Sequence, residues 1–181
     1  MKKVGVILAN GFEEMEALGT VDILRRAGIP VKTITINDSK EVTGAHNIAV
    51  LADSTFSDSD FSEIDVIVLP GGMPGAKNLN AHNGLRETIK TFNNNKKMVA
   101  AICAAPMVLG SLGVVEGKKA TCYPGFEPEL IGAKTTGDGV VVDDNITTGK
   151  GPGYVFDFAL KLVEQIAGQQ TRKEVQEALL L

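Results

Sequence analysis

The feature that most constrains this chain is an unbroken apolar run that leads directly into a cysteine. The run, Met98–Ile102, reads MVAAI, which is typical of a strand buried on both faces of a parallel sheet. Beyond Cys103 the apolar residues recur at roughly helical spacing, at Pro106, Met107, Leu109 and Leu112. The pattern therefore predicts a strand, a corner at Cys103 and a helix.

Small residues stand on both sides of this corner. Ala101 and Ala105 occupy the positions where a nucleophile elbow requires them, because the backbone turns sharply there. The unpaired N–H groups and partial positive charge of a helix start favour a thiolate over a thiol. Two interpretations follow: Cys103 is reactive, or it is a buried structural cysteine, which is the commoner role.

Elsewhere the chain alternates between strand and helix patterns. We predict strands over 3–9, 31–36 and 65–69, and helices over 13–27, 79–92, 154–166 and 171–181. A hairpin is predicted over 41–51, short strands over 120–122, 134–136, 140–142 and 145–148, and a short helix over 124–131. This alternation predicts a mainly parallel sheet with helices on both faces, in one α/β domain spanning residues 1–181.

In a parallel sheet the reactive groups collect at the carboxyl ends of the strands. That rule brings residues 10–16 and 70–72 to Cys103. Gly71 and Gly72 follow a strand, so their backbone allows a ligand to approach closely and presents N–H groups to an anion. With the N–H of Ala104 they would form an oxyanion hole, whereas the simpler interpretation is a plain turn at a strand end.

Three acidic residues, Glu13, Glu14 and Glu16, lie at the predicted start of the first helix. Acids are common there because they compensate the helix dipole. Alternatively, one carboxyl points into the pocket, where burial would keep it protonated and able to donate to a thiolate or move a substrate proton. His82 is interpreted as a surface residue and Cys122 as a core residue.

Composition excludes several classes of protein. A net charge of −4 offers no basic surface for nucleic acid, and no apolar run approaches the roughly 20 residues of a membrane span. The apolar start of the chain is followed at once by acids, which indicates a first strand rather than a signal peptide. Two cysteines form no disulfide framework and, with two histidines, show no zinc-ligand spacing. We therefore predict a cytoplasmic protein without a metal site.

Five stretches carry a resemblance to a known family: GFEEMEA, RRAGI, VLPGGMPGAKNL, MVAAICAAP and GKGPGYVFDFAL. In this order they resemble the ThiJ/PfpI superfamily, most closely its branch around the parkinsonism-associated deglycase (DJ-one) and its bacterial relatives. The resemblance covers nearly the whole chain. It implies a flavodoxin-like three-layer sandwich, usually a homodimer, with Cys103 at the nucleophile elbow.

The resemblance also implies roles for individual residues. Glu16 matches the carboxyl that hydrogen-bonds the sulfur, and Gly72 and Ala104 match the backbone donors that face it. Because Ala104 stands where the protease-like branch has a histidine, a peptidase is not expected. Tyr123 stands where the human-type member has a histidine, and a tyrosine hydroxyl can hydrogen-bond but is a poor proton acceptor near neutral pH.

One further departure concerns His46, which matches an arginine that approaches the partner subunit's cysteine in close relatives. We consider two interpretations: His46 reaches the opposite Cys103 across a dimer, or it is an exposed histidine at the tip of a hairpin.

Two functions follow from the resemblance. In the first, Cys103 attacks a small 2-oxoaldehyde, or its adduct on a protein, and Glu16 moves the proton between the two carbons. This glyoxalase or deglycase chemistry needs no metal or organic cofactor, and nothing in the chain suggests one. In the second, the protein is a redox sensor or stress-response chaperone in which Cys103 is oxidised to sulfinate.

Overall fold

A computed structural model describes all 181 residues. The strands are β1 Val4–Leu8, β2 Val31–Thr35, β3 Glu41–Thr43, β4 Ala49–Leu51, β5 Ser54–Thr55, β6 Val66–Leu69, β7 Met98–Ile102, β8 Lys119–Ala120, β9 Lys134–Thr135, β10 Val140–Asp143 and β11 Ile146–Gly149. The helices are α1 Glu14–Arg26, α2 Gly75–Ala81, α3 Asn83–Asn94, α4 Pro106–Ser111, α5 Val155–Ala167 and α6 Gln169–Ala178.

Seven strands form one sheet in the order β10-β11-β7-β6-β1-β2-β5. Every neighbouring pair is parallel except β10 and β11. Helix α5 packs on α1 and on α6, and α2 packs on α3 and α4 to form a second group. The predicted α/β sandwich with a mainly parallel sheet is confirmed.

The middle of the sheet is the most completely buried part of the molecule. All residues of β1 and β6 are buried, and β7 is buried apart from its first residue. These are apolar strands without alternation, as expected where helices cover both faces. Because β7, β6 and β1 are neighbours, their carboxyl ends bring three loops to one place: the segments after Leu8, Leu69 and Ile102.

Several predicted elements differ from the observed ones. The helix predicted over 79–92 is two helices, because His82 is extended and its Nδ1 accepts a hydrogen bond from the N–H of Leu85 at 3.0 Å, which starts α3 anew. His82 is half-buried rather than exposed, and its ring lies on that of Phe56 with centroids 4.6 Å apart.

Two short elements also needed tertiary information. The helix predicted over 124–131 is only a 3-10 turn at Glu127–Glu129, preceded by a left-handed Gly125. Conversely, the sequence pattern predicts no strand at β5, because its residues, Ser54 and Thr55, are polar. They are buried because their hydroxyl groups hydrogen-bond to Ser59 and Asp58, which satisfies them inside the edge of the sheet.

The hairpin formed by β3 and β4 lies outside the main sheet and is fastened to the start of α1. The buried carboxylate of Glu14 accepts from the N–H of His46 at 2.7 Å, and its other oxygen lies 2.7 Å from the His46 ring Nδ1. Gly44 packs directly against the same carboxylate. The hairpin therefore depends on a glycine beside Glu14.

We predict that Gly44→Ala destabilises the protein by about 1–3 kcal/mol, because the added methyl group would overlap the Glu14 carboxylate and displace it from His46. Thermal unfolding should show a melting temperature lower by roughly 3–10 °C. Gly153→Ala is the matched control, since a methyl group there meets nothing within 4 Å. Equal melting temperatures for the two variants would contradict the prediction.

Candidate active site

Cys103 lies at a sharp corner at the end of β7. Its φ angle is +66°, a left-handed conformation that costs a residue with a side chain roughly 1–2 kcal/mol. Two hydrogen bonds hold it there: its N–H donates to the carbonyl of Gly149 at 2.9 Å, and its carbonyl accepts from Tyr123 at 2.8 Å. The predicted corner is thus confirmed, although α4 begins only at Pro106.

Gly71 packs against both Cys103 and Glu16. A side chain at Gly71 would lie 2.7 Å from both the Cβ of Cys103 and the Oε2 of Glu16, so only glycine fits between them. The N–H of Gly71 donates to Glu16 Oε2 at 2.8 Å. This corrects the role predicted for Gly71: because its N–H is already engaged, only Gly72 and Ala104 remain as donors for an oxyanion.

The three acids at the start of α1 have three different roles. Glu13 caps the helix, since its carboxylate accepts from the N–H of Glu16 at 2.7 Å. Glu14 holds His46, as described above. Glu16 alone points inward; it is 1% exposed, and its Oε1 is buried without a hydrogen-bond partner. Because Oε2 accepts the Gly71 N–H, Oε1 is where this carboxyl can carry a proton.

Glu16 and Cys103 titrate as a pair. Burial raises the pKa of Glu16 to about 7, although the Cys103 thiol and the Gly71 N–H act in the opposite direction. Burial and then the negative charge of Glu16 raise the pKa of Cys103 to about 12, opposed by the N–H groups of Gly72 and Ala104. The pair therefore loses its first proton near neutral pH and its second only in strong alkali.

This electrostatic environment corrects the expectation that the helix start would favour the Cys103 thiolate. The helix begins three residues later and has only six residues, whereas burial and the adjacent carboxyl act directly on the sulfur. A thiolate forms here only when Glu16 takes the proton, which leaves one negative charge on the pair. The sulfur then has the N–H groups of Gly72 and Ala104 as donors.

Tyr123 lies at the mouth of the site. Its backbone contacts Cys103, but its side chain is 46% exposed and its hydroxyl makes no hydrogen bond within the chain. The ring lies edge-on to Phe126 with centroids 6.5 Å apart. Tyr123 therefore lines the entrance.

His46 hydrogen-bonds Glu14 rather than Cys103 within the single chain. Its side chain is 70% exposed, and the Glu14 carboxylate raises the pKa of its ring. Burial alone would raise the pKa of the Glu14 carboxyl. The hydrogen bonds from His46 outweigh burial, so the pKa of Glu14 is lowered. The ring belongs to an exposed part of the hairpin, as one of the two interpretations requires.

The structure also brings together residues that the sequence did not connect. Potential metal-ligating atoms of Glu13, Glu14 and His46 lie within 4.8 Å of one another, yet each carboxylate already accepts a hydrogen bond. Tyr154, interpreted from the sequence as the start of a helix, lies with Tyr123 on a cleft beside the site. The other cysteine, Cys122, is buried in the core as expected. None of the helices is long and apolar enough to cross a membrane.

We predict that Glu16 makes the protein less stable as the pH rises. Its pKa in the folded state, about 7, lies above the ordinary value of 4.5, so its stabilising contribution is present below about pH 4.5 and is lost as the pH rises through 7. Urea unfolding at pH 5 and pH 8 should show this loss in the wild type and not in Glu16→Gln, with a difference of at most roughly 3 kcal/mol.

The control for this experiment is Cys103→Ala, which should keep the pH dependence because burial is the main cause of the Glu16 shift. His46 acts in the same direction with pH, but it is present in all three proteins and cancels in the comparison. An equal loss of stability in Glu16→Gln and the wild type would contradict the prediction.

The chain is similar to known proteins over nearly its whole length. Residues 2–165 match the DJ-1/PfpI family. Protein dj-1beta of Drosophila melanogaster is 37% identical over 182 residues, covering 99% of this chain and 97% of that protein. The glutathione-independent glyoxalase DJR-1.2 of Caenorhabditis elegans is 33% identical, covering 93% of this chain and 90% of its own.

A solved structure of a DJ-1 superfamily protein from Salmonella typhimurium, a cysteine-to-alanine mutant, superposes with a TM-score of 0.95 at 37% identity. The match covers 99% of this chain and 98% of the other. Sequence and fold agree over nearly the whole length, so this chain belongs to the DJ-1/PfpI family.

Proposed function

We propose that this protein converts 2-oxoaldehydes, or their adducts on proteins, into 2-hydroxy acids, using Cys103 as nucleophile and Glu16 as proton shuttle. Family membership and the glyoxalase among the relatives support this class of reaction. Two cysteines without a disulfide fit a reducing compartment such as the cytoplasm, where stress-derived aldehydes would be met.

The observation that carries the proposal is the buried Glu16 carboxyl beside the sulfur. It is held by Gly71 and changes its protonation state near neutral pH. A group with this pKa can both take and return a proton at physiological pH, as a general acid–base catalyst must. Neither an exposed carboxylate nor a group titrating far from pH 7 would serve.

The first step is addition. As Glu16 takes the thiol proton, the sulfur of Cys103 attacks the aldehyde carbon, so a C–S bond forms and the carbonyl π electrons move to oxygen. The N–H groups of Gly72 and Ala104 stabilise the developing oxyanion. Glu16 then passes the thiol proton to the oxyanion, which becomes the hydroxyl of a hemithioacetal and leaves Glu16 ionised.

The second step is isomerisation followed by hydrolysis. The ionised Glu16 removes the proton on the former aldehyde carbon, and the electrons pass through the new C=C bond to the ketone oxygen, which takes the proton of the neighbouring hydroxyl. Glu16 then returns its proton to the former ketone carbon as the former aldehyde carbon becomes the thioester carbonyl. This yields a thioester to Cys103. Water cleaves the thioester, releasing the 2-hydroxy acid and the thiol. The overall change is addition of one water, so no external oxidant or reductant is required.

We predict that Cys103→Ala abolishes the loss of methylglyoxal and the formation of lactate, because the nucleophile is gone. Glu16→Gln should lower turnover by roughly 10²–10⁴-fold, since the amide cannot move protons. Wild-type turnover should rise with pH through about 7, where the Glu16–Cys103 pair loses its first proton. Both reactants can be followed by proton NMR.

The matched control is Cys122→Ala, which removes the other buried thiol but none of the groups described here. It should keep wild-type turnover. Wild-type protein that leaves methylglyoxal unchanged, or turnover that survives Cys103→Ala, would refute the proposed reaction.

We further propose that the protein acts as a homodimer in which His46 reaches the partner's Cys103. Apolar side chains lie exposed on α1 and on the hairpin beside His46: Met15, Leu18, Ile48 and Leu51. Burying them between two copies would remove a hydrophobic patch from water. A histidine held by Glu14 at the edge of such an interface would be oriented for the opposite site.

Mixed dimers test this arrangement. Cys103→Ala and His46→Ala should each be nearly inactive alone. When the two variants are unfolded and refolded together, half of the dimers are mixed, and each mixed dimer has one of its two sites complete. The mixture should therefore recover about a quarter of wild-type turnover. No recovery in a mixture shown by sedimentation to be dimeric would place any role of His46 within its own chain.

A second candidate function uses the same groups without turnover. Peroxide would oxidise the Cys103 thiolate through sulfenic to sulfinic acid, and Gly72, Ala104 and a protonated Glu16 could donate hydrogen bonds to the sulfinate oxygens. Intact-protein mass spectrometry after dilute peroxide distinguishes the two functions. Uptake of two oxygens at Cys103, in a protein that leaves methylglyoxal unchanged, would favour the sensor or chaperone.

A further inference from the structure

A small cleft beside Cys103 is not used by the reaction described above. Its volume is about 170 Å³. Tyr123 and Pro124 form one wall, and the segment 150–154 forms the other. The cleft lies at the carboxyl ends of the strands, in the same group of loops as the reactive sulfur.

Both walls are attached to the backbone of Cys103. The N–H of Tyr123 donates to the Cys103 carbonyl at 2.8 Å. The N–H of Cys103 donates to Gly149 at 2.9 Å, and the second wall begins at the next residue. Because these backbone hydrogen bonds link both walls to Cys103, the position of the cleft relative to Cys103 is fixed.

Two tyrosine rings line this cleft, and glycines hold both of them. The Tyr123 ring packs over Gly151, where a side chain would lie 3.2 Å from Cδ2. The Tyr154 ring packs over Gly139, where a side chain would overlap it. The tyrosines are 46% and 38% exposed, and neither hydroxyl is hydrogen-bonded within the chain. The rings are therefore supported on one side and open on the other.

The size and polarity of the cleft select its occupant. An apolar cavity of about 150 Å³ is large enough to bind benzene, so this cleft fits one six-membered ring. Aromatic walls favour an aromatic guest through stacked or edge-to-face contacts. The ammonium group of Lys150 donates to the carbonyl of Gly137 at 2.9 Å, a residue that does not line the cleft. A neutral ring fits better than a carboxylate or phosphate.

We propose that this cleft is a specificity subsite in which Tyr123 and Tyr154 bind the aromatic ring of an aryl 2-oxoaldehyde while its aldehyde carbon faces Cys103. The assignment rests on the proposed function. Tyr154 contacts only the aromatic ring of the substrate, so it determines which substrate binds and takes no part in the reaction steps. A methyl group would leave most of the cleft filled with water, so methylglyoxal would be the poorer substrate.

The kinetic test compares phenylglyoxal with methylglyoxal. The wild type should favour phenylglyoxal in kcat/KM by about tenfold or more, as expected for burying a phenyl group. Tyr154→Ala should reduce this ratio by about tenfold, mainly through the KM of phenylglyoxal. Tyr154→Phe should retain the ratio, because the ring and not the hydroxyl makes the contact.

Phe156→Ala is the matched control, since it removes a half-exposed ring two residues away that does not line the cleft. The ratio should be retained in this variant. An unchanged ratio in Tyr154→Ala, or an equal fall in Phe156→Ala, would overturn the subsite.

A binding measurement separates the subsite from the reaction. Acetophenone, which has the ring but no aldehyde, should shift the backbone amide NMR signals of Gly151 and Tyr154 in Cys103→Ala protein. Acetone should not, and adding Tyr154→Ala should abolish the effect. Binding without turnover of either aldehyde would support the subsite and refute the proposed reaction. Turnover without acetophenone binding would refute the subsite alone.

Discussion

The site depends on two hydrogen bonds made by the backbone of Gly71. Its N–H donates to the Glu16 carboxyl at 2.8 Å, and its carbonyl accepts from the N–H of Glu13 at 2.9 Å. One residue at the end of β6 thus fixes both the cap and the first turn of α1. It does so against Cys103, which leaves no space for a side chain. The Glu16 carboxyl is therefore held beside Cys103 by a backbone N–H.

This arrangement explains why adjacent acids behave so differently. Glu13, Glu14 and Glu16 lie within one turn of one helix, and all three are largely buried. Hydrogen bonds from N–H groups satisfy the first two, whereas the third keeps one buried oxygen free. Burial without full compensation is the condition that raises a carboxyl pKa toward neutrality. The fold therefore leaves a single acid of the three with a free buried oxygen, and this acid, with its raised pKa, is the one proposed above as the proton shuttle.

Much of the architecture could be predicted because buried parallel strands are visible in the sequence. The apolar run before Cys103 has no alternation, and the small residues around it permit only a tight corner. Glu16 could not be chosen from its neighbours by pattern alone, because a helix dipole accounts for all three acids equally. Glu16 is singled out first by the family resemblance and then by the structure, in which the N–H of Gly71 binds its carboxyl.

The errors have physical causes of the same kind. The helical pattern continues through His82, but a single side-chain cap restarts the helix there. The helix start predicts a lowered pKa for Cys103, which is wrong because burial of the thiol, and then the charge of Glu16 from 87 positions away in the chain, raise it. Tyr154 fits the spacing of a helix, and only the tertiary structure reveals that its ring faces a cleft. In each case a contact that the pattern does not show decides the outcome: a local cap at His82, and contacts between distant segments for Cys103 and Tyr154.

The left-handed backbone at position 103 has a wider consequence. Folding alone would favour glycine or asparagine there, since both adopt this conformation at lower cost than cysteine does. The backbone conformation at position 103 and the sulfur chemistry proposed above therefore favour different residues. Backbone conformation alone does not account for a cysteine at this corner, whereas the proposed sulfur chemistry does.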